Sequence, residues 1–350
     1  MSRVLGMLGA TRGKAGPDWT DWLSYAYLLL GVAVMFGPVL WLVLSSIKTP
    51  AGLETYPPTL LPTEPSSVAV KGFDHLLPLF RVTSGAHAGA ALAQIRRIGL
   101  QAQLVDPAAP AAVIRVPITA LAPVTHLQPN PSNYTDLGGK FNFGSYLWNS
   151  SFITIVATAI TLLVNSMAAF ALSKYEFQGR SVVLLLMVAT LMIPPTIVLV
   201  PNYLIASRLG LVDSLWGVIW PAVATPTGVF LLRQYMLTLP NDLLEAARMD
   251  NASEWRIYWR IVLPLSAPAL AVLGIFSVMW RWNEFLWPMV VLTRSEHFTL
   301  PLALNSFQGD LTTQWNYLLA MTVVTLVPVT VVFALLQRHI TQGIASAGVK

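Results

Sequence analysis

Six long apolar runs free of Asp, Glu, Lys and Arg divide this chain: residues 25–44, 151–173, 181–205, 214–232, 261–280 and 311–337. Each approaches or exceeds the roughly 20 residues an α-helix needs to cross about 30 Å of hydrocarbon. In lipid every backbone amide and carbonyl must be paired within the protein, so these runs are expected to be helices. One such run can be the buried helix of a large soluble protein. Six of them in 350 residues, with a mean hydropathy of +0.62, point to an all-α polytopic membrane protein with six transmembrane helices.

The first run starts at residue 25 and is followed by Trp41, Val43 and Leu44 rather than small residues, so it reads as a signal anchor and not a cleavable signal peptide. Lys and Arg set the orientation. With the N-terminus inside, the inner segments carry Arg3, Arg12, Lys14, Lys174, Arg180, Arg233, Arg248, Arg256, Arg260, Arg338 and Lys350, whereas the short outer loops carry Arg208 and Arg294, with Arg281 at a helix end. Both termini are expected to be cytoplasmic. This asymmetry explains the +5 charge and the pI near 9.5 better than nucleic-acid binding does. There is no cysteine, and hence no disulfide or thiol chemistry.

The expected organisation is a cytoplasmic tail (1–21), a first transmembrane helix (22–46), an outer loop (47–146), a transmembrane core (147–337) with a cytoplasmic loop at 238–264, and a cytoplasmic tail (338–350). GATRGK in the first tail has three residues between Gly9 and Gly13 where a phosphate-binding loop needs four, and Ala15 replaces the required hydroxyl residue. In the outer loop, residues 86–97 are expected to form a short helix ending at Arg96-Arg97, and 101–127 to form edge strands or extended chain. Either a small β-containing subdomain or a loosely ordered loop fits that composition. His75, His87 and His126 lack metal-ligand spacing and read as solvated.

Pro194, Pro195 and Pro201 predict a kinked third helix, suited to line a pathway or act as a hinge. Membrane-embedded charges are expected to be nearly absent, which argues against a proton- or sodium-driven carrier. No grouping resembles a hydrolytic triad, a metal site or a carboxylate dyad, which argues against an enzyme. Polar and aromatic groups in or beside the apolar helices are the candidates for a substrate path: Asn165, Asn202, Tyr203, Trp282, Asn283, Glu284, Asn316 and Tyr317, with Trp287 and Trp315 as further rings.

Residues 241–264 place Glu245, Arg248, Asp250, Glu254, Arg256 and Arg260 between two apolar runs. They read as helix, turn, helix. Asn241 or Asp242 is expected to cap the first helix, the break falls at Asp250-Asn251, Ser253 caps a second helix from Glu254 to Val262, and Pro264 opens the next span. Ala246 and Ala247 leave a low surface on which a partner can come close, and Leu243, Leu244 and Met249 supply apolar flanks.

The spacing Glu245-Ala246-Ala247, three residues, Asn251, nine residues, Ile261, one residue, Leu263-Pro264 resembles the EAA loop of binding-protein-dependent ABC importer permeases. WNSSF (148–152), AAFALSKYEFQGR (168–180), MIPPTIVLVPNYL (192–204), LGLVDSLWG (209–217), WNEFLWP (282–288) and the ending AGVK resemble the MalG-like carbohydrate permeases. The resemblance covers about 22–50 and 141–350 but not 66–128. It implies a sugar-importing permease subunit of the bacterial inner membrane, working by alternating access with a MalF-like second permease, a MalK-like ATPase dimer and an external binding protein. It implies no cofactor of its own, since ATP and magnesium sit on the ATPase. The EAA loop would be a coupling helix docked on that ATPase, with Glu245 pairing to basic groups, Ala246 and Ala247 allowing close approach, Leu243, Leu244 and Met249 filling the cleft, and residues 338–350 reaching the ATPase dimer. Asp250, Ile261, Leu263 and Pro264 belong to the same motif. The family pattern has Gly where this chain has Asn251, a site expected to need left-handed backbone, which Asn tolerates best after Gly. The WNEFLWP segment would lie near the outer mouth. A stand-alone carrier or channel is the alternative.

Overall fold

The computed structural model describes residues 19–55, 58–305, 307 and 313–347. The GATRGK segment lies outside them. The chain divides into two units, residues 1–130 and 131–350.

Among its described residues the first unit contains helix α1 (Trp19–Ser46) and eight short strands: β1 (Thr63–Pro65), β2 (Ser67–Val68), β3 (Leu77–Val82), β4 (Ala91–Ile98), β5 (Gln101–Asp106), β6 (Ala109–Pro117), β7 (Leu121–Pro123) and β8 (Thr125–Leu127). Strands β2 to β6 form an antiparallel sheet in sequence order, β7 pairs with β3 on the edge opposite β4, and β1 pairs with β8. Strand alternation gives this sheet two buried faces. Leu92, Ala102, Leu104 and Val116 pack on one side, and Leu77, Ala93 and Val105 on the other.

The loop therefore holds a folded β-subdomain. The helix expected over 86–97 does not form. Gly85 and Gly89 adopt φ of 100° and 90°, which closes a turn before β4. That strand then pairs with β3 and β5 on both edges, and this long-range pairing overrides the helix propensity of an alanine-rich segment. His126 is exposed but engaged, its ring contacting Ser66 at 3.2 Å and Gln128 at 2.6 Å.

The second unit is helical: α2 (Ser132–Lys140), α3 (Phe143–Lys174), α4 (Arg180–Thr190), α5 (Leu199–Arg208), α6 (Leu215–Ile219), α7 (Pro226–Leu237), α8 (Asn241–Met249), α9 (Glu254–Ile257), α10 (Ala267–Asn283), α11 (Leu286–Val291), α12 (Leu300–Asn305) and α13 (Trp315–Ala347). The backbone of the expected C-terminal tail continues α13 as far as Ala347, and residues 348–350 lie outside the description. Among the described residues three helices, α1, α3 and α13, are long and apolar enough to cross a membrane, and two bent pairs could each make a further span.

The six apolar runs are thus not six continuous helices, because prolines interrupt three of them. The third run is broken rather than kinked: Pro194 and Pro195 fall in a turn between α4 and α5, and Pro201 sits in the first turn of α5, where a missing amide hydrogen costs little. The fourth bends by 45° before Pro226, and the segment from Glu254 to Leu265 meets α10 at 75°.

Helix α3 is the spine of this unit. Its inner face repeats small polar residues, and each bonds a different element. Asn149 donates to the carbonyls of Glu296 and Phe298, Ser150 accepts from the Leu300 amide, Thr158 meets Ser277 and Ser166 meets Tyr258. Small polar side chains let membrane helices approach closely and give them hydrogen bonds where lipid offers none.

Candidate functional site

The loop that follows α7 is built on the C-terminal end of α3. Lys174 donates to the Leu239 carbonyl at 2.7 Å and to Asn241 Oδ1 at 2.8 Å. Asn241 is therefore committed to Lys174 and does not cap α8. Nor does Asp242, since the N-cap is Pro240 with no side-chain bond. Proline ahead of the first turn removes the need for one amide partner, and Asp242 in that turn complements the helix dipole.

Helix α8 has two distinct faces. Leu244 is 2% exposed and packs among Phe170, Leu232, Met236, Ile257, Tyr258 and Val262, with Ala247 against the same cluster. Leu244 thus anchors the helix to its own chain and is not available to fill a partner's cleft, because the i, i+3 pair Leu244 and Ala247 supplies the buried stripe. Glu245, Ala246 and Asp250 are exposed, as are Leu243 at 45% and Met249 at 83%.

The helix ends in a two-bond reverse turn. The Asn251 amide donates to the Arg248 carbonyl at 3.0 Å and the Ala252 amide to the Ala247 carbonyl at 3.0 Å, the pattern of a Schellman cap. Asn251 occupies its left-handed position with φ of 53°. Ser253 then accepts from the Arg256 amide at 3.3 Å and caps α9.

A polar clasp closes the turn. Arg248 donates to both oxygens of Glu254, at 2.8 and 3.3 Å, and the Tyr175 hydroxyl donates to Glu254 as well. The hydrogen bond from Arg248 holds the Glu254 carboxyl below its ordinary range against the opposing effect of burial. Burial, reinforced by Glu254, pushes the Tyr175 hydroxyl up to about 12.

The second helix is shorter than its sequence suggests. After Ile257 the backbone widens into a π turn over Tyr258–Val262. Pro264 has no amide hydrogen, and the Leu263 amide reaches back five residues to the Tyr258 carbonyl. Ile261 and Leu263 are half-buried there and Pro264 is exposed.

The residues expected along a substrate path are dispersed, and several are spent on internal bonds. Asn165 is fully buried. It donates to Thr225 Oγ1 at 2.6 Å and accepts from the Thr225 amide at 3.2 Å, so it braces the break ahead of α7. A Cβ at Gly228 would come within 2.3 Å of its amide nitrogen. Trp282 is buried and donates to the Thr325 carbonyl at 2.9 Å. Asn316 donates to Asn133 at 3.1 Å, and Tyr317 to Asp136 at 2.7 Å. Asn202 and Tyr203 are half-buried in α5. Asn283 and Glu284 alone of the set line an open hollow, of about 420 Å³, with Met279, Trp280 and Leu286. Trp287 donates to the Gly217 carbonyl at 3.0 Å, and Trp315 is exposed.

Two features were hidden from sequence reasoning. Arg281 turns into the helical unit, donating to Ser277 Oγ at 2.6 Å, Thr161 Oγ1 at 2.7 Å and the Ala222 carbonyl. Its signal was a lone charge at the end of an uncharged run. Asp213 has φ of 58° and accepts from the amides of Thr293 and Arg294, both at 3.0 Å, and from the Arg294 guanidinium. No local pattern announces partners 80 residues away.

The family model for binding-protein-dependent transport system inner membrane components matches residues 166–346. The arabinooligosaccharides transport system permease protein AraQ of Halalkalibacterium halodurans is 39% identical over 208 residues, covering 59% of this chain and 75% of AraQ. The sn-glycerol-3-phosphate transport system permease protein UgpE of Yersinia enterocolitica is 34% identical over 240 residues, covering 67% and 85%. A chain of a bacterial ABC transporter involved in the import of the acidic polysaccharide alginate shares the fold with a TM-score of 0.65 at 21% identity, over 93% of this chain and 99% of that one. The chain belongs to the binding-protein-dependent transport system inner membrane component family.

Proposed function

We propose that this chain is the MalG-like permease subunit of an ATP-driven importer of a di- or oligosaccharide, spanning the inner membrane six times with both termini cytoplasmic. The sugar class rests on relatives such as the arabinooligosaccharide permease. The chain carries no ATPase of its own. ATP and magnesium are bound by a separate MalK-like dimer, a MalF-like second permease completes the pathway, and an external binding protein delivers the sugar.

The observation that carries the coupling role is the division of α8 into a buried face, Leu244 and Ala247, and an exposed face, Glu245, Ala246 and Met249. In our reading the exposed face docks on the ATPase. Glu245 pairs with basic groups, Ala246 permits close approach, and Leu243 and Met249 flank it. The buried face passes the motion through Leu244 to Phe170 on α3 and to Tyr258 and Val262 ahead of α10. Asp250, Asn251, Ile261, Leu263 and Pro264 shape the turn and the bend that carry it. In the substrate path we retain Asn283 and Glu284 at the hollow, with Asn202 and Tyr203, half-buried on α5, as further candidates. The polar groups of Asn165, Trp282, Asn316 and Tyr317 hold the frame of that path.

Glu245→Ala and Ala246→Asp are expected to abolish ATP-dependent uptake of the sugar while the permease pair still assembles and inserts. Wild-type uptake by either variant in a normally assembled complex would refute the docking role. Ala246 is a cleaner test than Ala247, because Ala247 also packs against the internal cluster.

A further inference from the structure

Roughly 40 Å along α3 from Lys174, at 1.5 Å per residue, lies an open hollow of about 320 Å³ lined by Trp148, Phe152, Asp213, Ser214, Trp216 and His297. It brings together the start of α3, the loop before α6 and the loop before α12, so it lies at the end of the helical unit away from α8.

Part of its lining is aromatic. Trp148 and Phe152 stack with centroids 6.2 Å apart at 28°, and Trp216 meets Phe152 edge-on at 5.8 Å. Trp148 is 66% exposed and Trp216 41%, so both rings offer open surface.

The polar part of the lining is held rigidly. Burial alone would raise the Asp213 carboxyl, but the bonds from Arg294, Thr293 and His297 outweigh it and keep the group well below the ordinary carboxylate range. His297 Nδ1 lies 3.2 Å from Asp213, which orients the imidazole and leaves Nε2 as its open polar atom. Ser214 Oγ accepts from the Trp216 amide at 3.3 Å, so its hydroxyl hydrogen is still free to donate.

A sugar ring presents a C–H face to aromatic rings and hydroxyls at its edge. We propose that this hollow is a saccharide subsite on the outer face of the permease. It takes one pyranose or furanose unit, with the C–H face against Trp148 and Trp216 and hydroxyls bonded to Ser214 and His297. The volume falls at the small end for ligand sites and fits one ring, not an oligosaccharide. A lipid acyl chain has no use for a fixed carboxylate–imidazole pair, and tryptophans that merely mark the membrane interface need none either.

The assignment to the outer face and to a sugar rests on the importer reading above. The test separates the two. The full complex is reconstituted in nanodiscs, and arabinotriose, maltotriose and trehalose are offered without binding protein, with saturation-transfer NMR as the readout. At least one sugar is expected to give a saturable signal from its ring C–H protons. Trp148→Ala and Trp216→Ala should weaken its affinity about tenfold, the worth of one stacked ring. Trp148→Phe should retain most of it, and His297→Gln should lose less than His297→Ala. No saturable signal from any of the three, equal signals in wild type and Trp148→Ala, or a signal that follows lipid composition instead of sugar would each overturn the subsite. ATP-dependent uptake distinguishes the failures. A wild type that imports a sugar while the tryptophan variants bind it normally sinks the subsite alone. A wild type that imports no sugar sinks the importer reading and the subsite with it.

Discussion

Asn251 and Asp213 both hold a left-handed backbone without being glycine, yet they are supported in opposite ways. Asn251 closes a turn whose backbone bonds all lie between Ala246 and Ala252, with the side-chain clasp of Tyr175, Arg248 and Glu254 added on top. Asp213 closes a loop whose bonds run to Thr293, Arg294 and His297, more than 79 residues away. The first conformation is a property of a short segment, and the second is a property of the assembled helical unit. A segment that must move against a partner benefits from a turn that keeps its shape by itself. A loop that joins two distant parts of the fold benefits from being unable to form until both are in place.

The largest effect should come from cutting the long-range support. Asp213→Ala leaves two amides, a guanidinium and an imidazole without their shared acceptor and places a Cβ residue without polar compensation at positive φ. We expect a loss of about 3 kcal/mol, read as a fall in the thermal midpoint of the purified complex. Asp213→Asn keeps an acceptor and the left-handed tolerance, and should lose less than half as much. Equal losses would mean that the charge, and not the bond geometry, holds the loop.

A smaller effect is expected at the local turn. Asn251→Val forces a β-branched residue to φ near 53° and should cost about 1–2 kcal/mol, while Asn251→Gly should change stability by less than about 1 kcal/mol. Because the turn is local, Asn251→Val should lower uptake more than it lowers the thermal midpoint. Asp213→Ala should lower both together.

Protonation gives the gentlest probe. The carboxyls of Glu254 and Asp213 are both held below their ordinary ranges in the fold. Their contributions are therefore complete above the ordinary carboxylate pKa of about 4 and are lost as pH falls through that value toward the folded one. Protease access to 249–256 and to 292–299 should be unchanged from pH 8 to 6 and rise as the pH is lowered below about 4. The 249–256 segment should open first, since the Arg248–Glu254 pair is exposed and contributes little. The reverse order would contradict the contrast between the two loops.

This contrast also explains what could be read from the chain. The turn at Asn251, the Ser253 cap and the placing of a polar helix between apolar runs follow from residues within one or two turns of each other. The membrane class follows from run length alone. What escaped reading depends on distant partners or on a choice between local options. The Ala-rich 86–97 segment becomes β4 because β3 and β5 flank it. Asn241 meets Lys174 instead of capping α8. Leu244 turns inward because Phe170 and Tyr258 are there to receive it. Arg281 and Asn165 brace broken helices that a hydropathy profile renders as unbroken runs.

The central claim is that α8 presents Ala246 and Met249 to another subunit while Leu244 faces its own chain. The protein has no native cysteine, so single-cysteine variants report cleanly. Ala246→Cys and Met249→Cys are expected to crosslink to the ATPase subunit with a short bifunctional reagent, with a yield that changes when ATP is bound, whereas Leu244→Cys should not crosslink at all. Crosslinking through Leu244→Cys at the level of Ala246→Cys, or none through Ala246→Cys and Met249→Cys in an assembled complex, would contradict it.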